Sequence, residues 1–324
     1  MSENLAKKPK PSWLKVRAPG GENYLKIKEM LRGRKLATVC EEAHCPNIGE
    51  CWGGGTATIM VMGDTCTRGC RFCNVKTAKR PGALDPLEPE NVAKSLEDMN
   101  LSYVVITTVD RDDLPDQGAT HFAEIVRAIK RRNPKLRIEA LAGDFQGSED
   151  LQRVLLESNG IDVFAHNIET VERLTPSVRD KRASYRQSLR VLAAAKKLRP
   201  GIVTKTSIML GLGETKEEVV QSMRDCLEAG VEIYTLGQYL QPSSWHLEVK
   251  EFITPELFKE YERIGLELGF KYVASGPLVR SSYRAGEFFI EAFLDQRASG
   301  ARSENETHTE VTAEMNARKG VSQE

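Results

Sequence analysis

What is scarce in this chain of 324 residues narrows it before any motif is read. No apolar run approaches the roughly 18 residues that a membrane-spanning helix needs, so no transmembrane helix is expected. Positive and negative side chains balance at 46 each, leaving no global field to steer the protein to nucleic acid or to anionic lipid. No phosphate-binding glycine signature follows the first strand-like run, which argues against a doubly wound dinucleotide-binding sheet. The second C-x2-C pair of the usual structural zinc layout is missing. The opening residues lack a secretory signal, and Glu3, Pro9 and Pro11 interrupt the arginine-rich amphipathic period of a mitochondrial presequence. A cytoplasmic protein with reduced thiols is therefore expected.

Against these absences, six of the seven cysteines crowd into two triplets within 34 residues. Cys66-Thr-Arg-Gly-Cys70-Arg-Phe72-Cys73 has the spacing C-x3-C-x2-C, and Cys40, Cys45 and Cys51 have the spacing C-x4-C-x5-C. Thiolates so grouped suit a soft metal centre, either a zinc ion completed by a distant ligand or an iron–sulfur cluster. An electron-transfer cubane takes four cysteines, so three point to one iron left open for a ligand. The seventh, Cys226, falls in a helical run and reads as a small buried hydrophobe. His44, beside Cys45, is left without a role.

The remaining pattern alternates. Strand-like runs at 56–62, 103–107, 136–141, 162–166, 203–210 and 232–239 are separated by helical stretches at 89–99, 121–132, 148–158, 184–198 and 215–229, with a further helix at 255–268. Strict alternation of this kind builds right-handed βαβ units, so the fold expected is α/β, a partial (βα)6 TIM-type barrel. Functional residues then gather at the carboxyl ends of the strands, where Cys66, Asp110, His166, Asn167, Glu169, Gly211 and Glu214 fall. Four segments are expected: an N-terminal extension (1–55) carrying the second triplet, the barrel (56–270), a C-terminal extension (271–297) and a disordered polar tail (298–324). Residues 1–35 hold ten basic residues against three acidic ones. This excess reads as a solvated arm or as a dock for an acidic partner.

The loop Cys66 to Cys73 after the first barrel strand resembles the signature of radical S-adenosylmethionine enzymes. The second triplet, the Arg280-Ser281-Ser282-Tyr283 stretch, His166 to Val171 and Gly237 to Pro242 together resemble the lipoyl synthase family, from about Trp13 to Arg284. The resemblance implies a [4Fe–4S] cluster on Cys66, Cys70 and Cys73 whose open iron takes S-adenosylmethionine, with Phe72 beside the adenine. It also implies an auxiliary [4Fe–4S] cluster on Cys40, Cys45, Cys51 and Ser282. Ser207 to Glu214 is similar to the family's G-x-I-x-G-x-x-E motif, with Ser207 and Met209 as departures, which places Gly211 and Glu214 at the cofactor. Asn167, Glu169 and Arg179 are the expected contacts to ribose and the methionine carboxylate, or else a structural polar network. Ser282 and Arg280 are the expected catalytic residues.

The implied activity is radical insertion of two sulfur atoms at C6 and C8 of a protein-bound octanoyl chain. It consumes two S-adenosylmethionine molecules and draws sulfur from the auxiliary cluster. Implied partners are octanoylated lipoyl carrier domains (dehydrogenase E2 subunits, the glycine cleavage H protein), a reductant such as flavodoxin or ferredoxin, and an iron–sulfur carrier. Neither nucleic acid nor membrane is expected as a partner. Two rival readings are a different radical S-adenosylmethionine enzyme with an auxiliary cluster, and a non-catalytic iron–sulfur electron-transfer protein.

Overall fold

The computed structural model describes residues 9–16, 19–34, 36–53, 58–282, Ile290, Phe293 and Leu294. Tyr283, Arg284 and the 298–324 tail lie outside the described residues. Among the described residues there are ten strands: β1 (Ala37–Thr38), β2 (Ile59–Val61), β3 (Thr65–Cys66), β4 (Lys76–Thr77), β5 (Tyr103–Thr108), β6 (Arg137–Leu141), β7 (Val163–Ala165), β8 (Val203–Leu210), β9 (Ile233–Gln238) and β10 (Tyr272–Gly276). The helices are α1 (Glu22–Gly33), α2 (Val39–Glu42), α3 (Ile48–Gly53), α4 (Glu88–Met99), α5 (Ala119–Arg132), α6 (Glu149–Leu156), α7 (Thr175–Val178), α8 (Tyr185–Leu198), α9 (Lys216–Glu228) and α10 (Pro255–Leu268).

The main sheet runs β1-β2-β5-β6-β7-β8-β9-β10. All its pairs are parallel except β1 with β2. Strand alternation sorts the side chains into two layers. Val104 and Ile106 of β5, Ile138 and Ala140 of β6 and Phe164 of β7 pack outward with α4 and α5. Tyr103, Val105, Val163, Val203, Ile233 and Tyr272 point inward with Ile290 and Leu294. The expected partial barrel is thus present, but with seven parallel strands rather than six. The extra strand, β10, escaped because Ala-Ser-Gly is weakly strand-forming and three of its five residues are only half-buried.

Helix ends follow their local chemistry. Ser184 caps α8 through the Gln187 amide, Ser148 caps α6 through Leu151, and Thr215 with Glu218 forms a reciprocal capping box on α9. Cys226 is fully buried in α9, as a packing thiol should be. The inner face of the barrel also carries charge. Lys205 Nζ lies 2.8 Å from both carboxylate oxygens of Glu139, and the Tyr103 hydroxyl donates to the same carboxylate at 2.5 Å.

Candidate active site at the carboxyl rim

The Cys66–Cys73 loop leaves β2 through Met62, which has φ +67° and whose amide donates to both oxygens of Glu88 at 3.1 and 3.0 Å. His121 holds that carboxylate from the other side at 2.6 Å. The two-stranded ladder of β3 and β4 frames the loop. Backbone amides then point at sulfur: Arg68 N–H donates to Cys66 Sγ at 3.4 Å and Asp180 N–H to Cys70 Sγ at 3.3 Å. His246 Nε2–H donates to the Cys73 carbonyl at 3.0 Å, its tautomer following from the Ser243 hydroxyl at Nδ1. Burial pushes all three thiols up, Cys66 and Cys70 to about 12 and Cys73 to about 11, and Cys73 raises the other two further. Bound iron inverts that preference, because a coordinating thiol is deprotonated outright. The amide donors are already in place for the resulting thiolates.

Arg68, inside the loop, carries a charge network that sequence reasoning missed. Its buried guanidinium meets Asp144 at 2.7 Å twice, Asp112 at 2.8 Å and Asp110 at 3.6 Å. Burial raises Asp110 to about 6, while Arg68 lowers Asp112 and Asp144. Thr67 Oγ1 also donates to Asp112, at 2.6 Å. The cluster loop is therefore pinned by ion pairs to the ends of β5 and β6. The Asp110-Arg-Asp112-Asp113 run was the available signal, since three carboxylates at one strand end need a cation.

The second triplet lies alongside. Cys40 sits in α2, whose cap is the Thr38 side chain, and Cys51 in α3; both thiols are buried. Burial raises Cys40 to about 11 and also raises Cys45. Among the described residues the buried Trp52 indole N–H has no hydrogen-bond partner, and its dipole opposes part of the upward push that burial gives Cys40. Asparagines bridge the pieces. Asn74, next to Cys73, donates to Glu42 O at 2.9 Å and faces His44 Nδ1 at 3.2 Å, giving that histidine a structural place. Asn47 Nδ2 donates to Leu278 O at 2.7 Å and so holds the 278–282 turn against the second triplet. Arg280 is half-buried there with the Val279 carbonyl at 2.6 Å, and desolvation lowers its pKa against an opposing pull from Cys45. Ser282 is half-buried in the same turn. Among the described residues no three His, Cys, Asp or Glu side chains converge on a single-ion site. A cubane differs in taking each thiolate on a separate iron, and the donor set of three cysteines per loop, backed by amides, fits that group.

The remaining expected contacts divide. Phe72 packs with Met209, Leu212, Val178 and Tyr239 in one apolar cluster, joining the loop to the end of β8. Asn167 Nδ2 donates to Glu169 Oε1 at 3.1 Å, and Glu169 has φ +66° and a carboxyl raised by burial against the pull of Arg179. Arg179 donates to Ser188 Oγ at 2.8 Å; that hydroxyl faces His166 Nε2 at 2.9 Å, while Nδ1 faces Ala142 O at 2.9 Å. His166 is consequently neutral, its pKa lowered to about 4 by burial and by Arg179. Glu214 is committed locally, accepting from the amides of Gly211 and of Leu212, the latter at 3.0 Å. Gly211 has φ +98°, and a Cβ there would meet Glu251 O at 2.4 Å, so it shapes this turn.

Residues 60–226 match the Radical SAM superfamily, and residues 2–45 match the N-terminal domain of lipoyl synthase of the radical SAM family. The chain is 61% identical over 299 residues to "Lipoyl synthase, mitochondrial" of Culex quinquefasciatus, covering 91% of this chain and 78% of that protein. It is 60% identical over 292 residues to the Drosophila melanogaster protein of the same name, covering 89% and 77%. Among solved structures, Streptococcus suis SuiB bound to precursor peptide SuiA aligns with TM-score 0.52 at 10% identity, covering 67% of this chain and 48% of that one. The FeFe-hydrogenase maturase HydG from Carboxydothermus hydrogenoformans aligns with TM-score 0.51 at 13% identity, covering 85% and 70%. These structures share the fold. The mitochondrial designation of the relatives overturns the expectation of a cytoplasmic protein. Compartment is addressed by short targeting segments, and fold-bearing residues do not encode it.

Proposed function

Because the chain belongs to the lipoyl synthase family of radical S-adenosylmethionine enzymes, we propose a division of labour among its own residues in the insertion of two sulfur atoms into a protein-bound octanoyl chain. When bound, one [4Fe–4S] cluster with S-adenosylmethionine supplies the radical and the auxiliary [4Fe–4S] cluster supplies the sulfur. Cys66, Cys70 and Cys73 hold the first cluster and leave one iron for the cofactor. Phe72, with Met209 and Leu212, offers the adenine an apolar wall. Asn167, Glu169 and Arg179 orient the ribose and the methionine carboxylate, and Gly211 and Glu214 keep the end of β8 in shape for them.

Cys40, Cys45, Cys51 and Ser282 hold the auxiliary cluster. Ser282 would bring to that set an oxygen donor harder than the three thiolates. Arg280 is a positioning residue that balances the charge beside Cys45. The substrates are octanoylated lipoyl carrier domains such as dehydrogenase E2 subunits and the glycine cleavage H protein. A flavodoxin or ferredoxin supplies electrons, and an iron–sulfur carrier rebuilds the auxiliary cluster.

The observation that carries this reading is the pair of asparagine bridges. Asn74 ties the two cysteine loops together and Asn47 ties the second to the turn that bears Ser282. The test is iron and sulfide analysis with each triplet replaced separately, alongside mass spectrometry of an octanoylated carrier peptide. About eight irons per chain, falling to about four when one of the two triplets is replaced, is expected for two cubanes. Ser282→Cys should keep its iron and lose sulfur insertion; undiminished insertion in that variant refutes the role given to Ser282.

A further inference from the structure

The N-terminal extension holds a feature that the chemistry above does not use. The molecule is neutral overall, yet residues 1–35 hold ten basic and three acidic side chains, so the remainder carries an equal acidic excess. Among the described residues, the same extension supplies three of the five exposed large hydrophobics: Trp13 (39% exposed), Val16 (46%) and Leu25 (56%). Lys10, Lys15 and Arg32 are exposed in this segment too. A solvated arm accounts for the charge. It does not account for large apolar side chains held in water among cations, a combination typical of surfaces that meet a partner.

Residues 19–34 of this segment are tied to the rest of the fold. Tyr24 of α1 packs on Trp52 of α3 with ring centroids 5.1 Å apart, and Asn23 Nδ2 donates to Gly53 O at 2.9 Å. Pro19 seats against Gly49, where a Cβ would come within 2.9 Å of the Pro19 Cα. Ile27 and Leu31 bury into the main core. α1 is thereby fixed to α3, the helix that carries Cys51, with Leu25 and Arg32 left exposed.

We propose that this basic and apolar surface of the extension docks the octanoylated carrier domain through an acidic surface on that domain, and that it does so to deliver the acyl chain beside the second triplet. The inference rests on the lipoyl synthase reading. Charge decides the sign of the occupant, since complementary fields steer association and fix register. Position decides its kind. A carrier must bring carbon to the auxiliary cluster, and α1, which bears Leu25 and Arg32, packs on the helix of Cys51, whereas an electron donor must reach the Cys66–Cys73 loop.

The test compares wild type with a Lys10→Glu, Lys15→Glu, Arg32→Glu variant, and separately with Leu25→Ser, all as full-length protein with both clusters. Dissociation constants for an octanoylated lipoyl carrier domain are measured by calorimetry across a salt series. Sulfur insertion is measured on that domain and on a short neutral octanoyl-lysyl peptide. Charge reversal is expected to weaken carrier binding by about tenfold and flatten its salt dependence, with peptide turnover and S-adenosylmethionine cleavage unchanged; Leu25→Ser weakens binding without changing the salt slope. Unchanged carrier affinity in both variants overturns the proposal. Parallel loss with the peptide also overturns it, because the face would then be supporting the cluster site. So does selective loss of binding to an acidic electron-donor protein or to anionic phospholipid vesicles while the carrier still binds. Failure of the wild type to modify either substrate would instead strike the family activity, which the peptide arm reads independently of docking.

Discussion

Replacing Arg68 with Met tests whether the cluster loop is held by buried charge. The guanidinium is 2% exposed and spans Asp144, at 2.7 Å through both terminal nitrogens, and Asp112, at 3.0 Å from Nε and 2.8 Å from Nη2. Removing one partner of a buried pair leaves the other charge uncompensated, at a cost of roughly 3–5 kcal/mol. Some relief is available, because Gln187 Nε2 still donates to Asp144 at 2.7 Å and Gln146 Nε2 to Asp112 at 2.9 Å. The expected loss for Arg68→Met is therefore at the lower end, roughly 3 kcal/mol. Arg68→Lys keeps the charge but lacks the fork that reaches two carboxylates at once, so roughly half that loss is expected. Urea unfolding of the metal-free protein, followed by tryptophan fluorescence, reads both. The deficit must also depend on pH. Asp112 and Asp144 have lowered folded-state pKa values, so their stabilisation is present above the unfolded carboxylate range and fades as pH falls through the folded values. The gap between wild type and Arg68→Met is thus full at neutral pH and narrows in acid. A gap below about 1 kcal/mol at pH 7, or one that widens in acid, would refute the reasoning.

Other perturbations follow from the same packing. Gly237→Ala places a Cβ 2.0 Å from the Val279 carbonyl, so the 278–282 turn must shift; iron content should fall toward the value of the second-triplet variant, with a stability loss of roughly 1–3 kcal/mol by unfolding. Lys205→Met strands the fully buried Glu139 carboxylate and should cost roughly 3–5 kcal/mol, with much of it restored when Glu139→Leu is added. His166 titrates at about 4 in the fold against 6.5 unfolded, so the unfolded chain binds the extra proton between those values. Stability should fall by roughly 3 kcal/mol as pH drops through that window, and His166→Gln should remove the dependence.

The cysteine triplets, the strand–helix alternation and the rim positions could all be read from residues alone, because each depends on spacing along the chain. Cys66 to Cys73 needs no partner to be recognised, and the helices announce themselves through caps such as Thr215 with Glu218. What the chain order conceals is pairing across distance. Nothing in the run Cys73-Asn74-Val75 says that Asn74 reaches Glu42, 32 positions earlier, or that Asn47 reaches Leu278, 231 positions later. The Arg68 network escaped for the same reason, with its carboxylates 44 and 76 positions away. Strand β10 escaped for another, since its small residues satisfy the ladder through backbone bonds to β9 without the β-branched signal on which recognition rests.

That contrast bears on how the rim works. The groups expected to meet iron or cofactor are held by a second layer whose members are further committed among themselves. His166 is locked between Ser188 and Ala142, Ser188 also accepts from Arg179, and His246 spends its Nε2 proton on the Cys73 carbonyl. A site of this kind keeps its geometry before anything binds, so ordering entropy is met during folding rather than at each turnover. It also predicts where tolerance ends. His246→Asn can still donate toward the Cys73 carbonyl, whereas His246→Leu cannot and leaves that carbonyl without its side-chain donor. His246→Leu should therefore weaken iron retention by the first triplet while the second keeps its own, and His246→Asn should retain most of it. Iron per chain, measured with the second triplet removed so that only the Cys66–Cys73 loop is read, separates the two variants; equal iron in both would show that the hydrogen bond to Cys73 does not hold the loop.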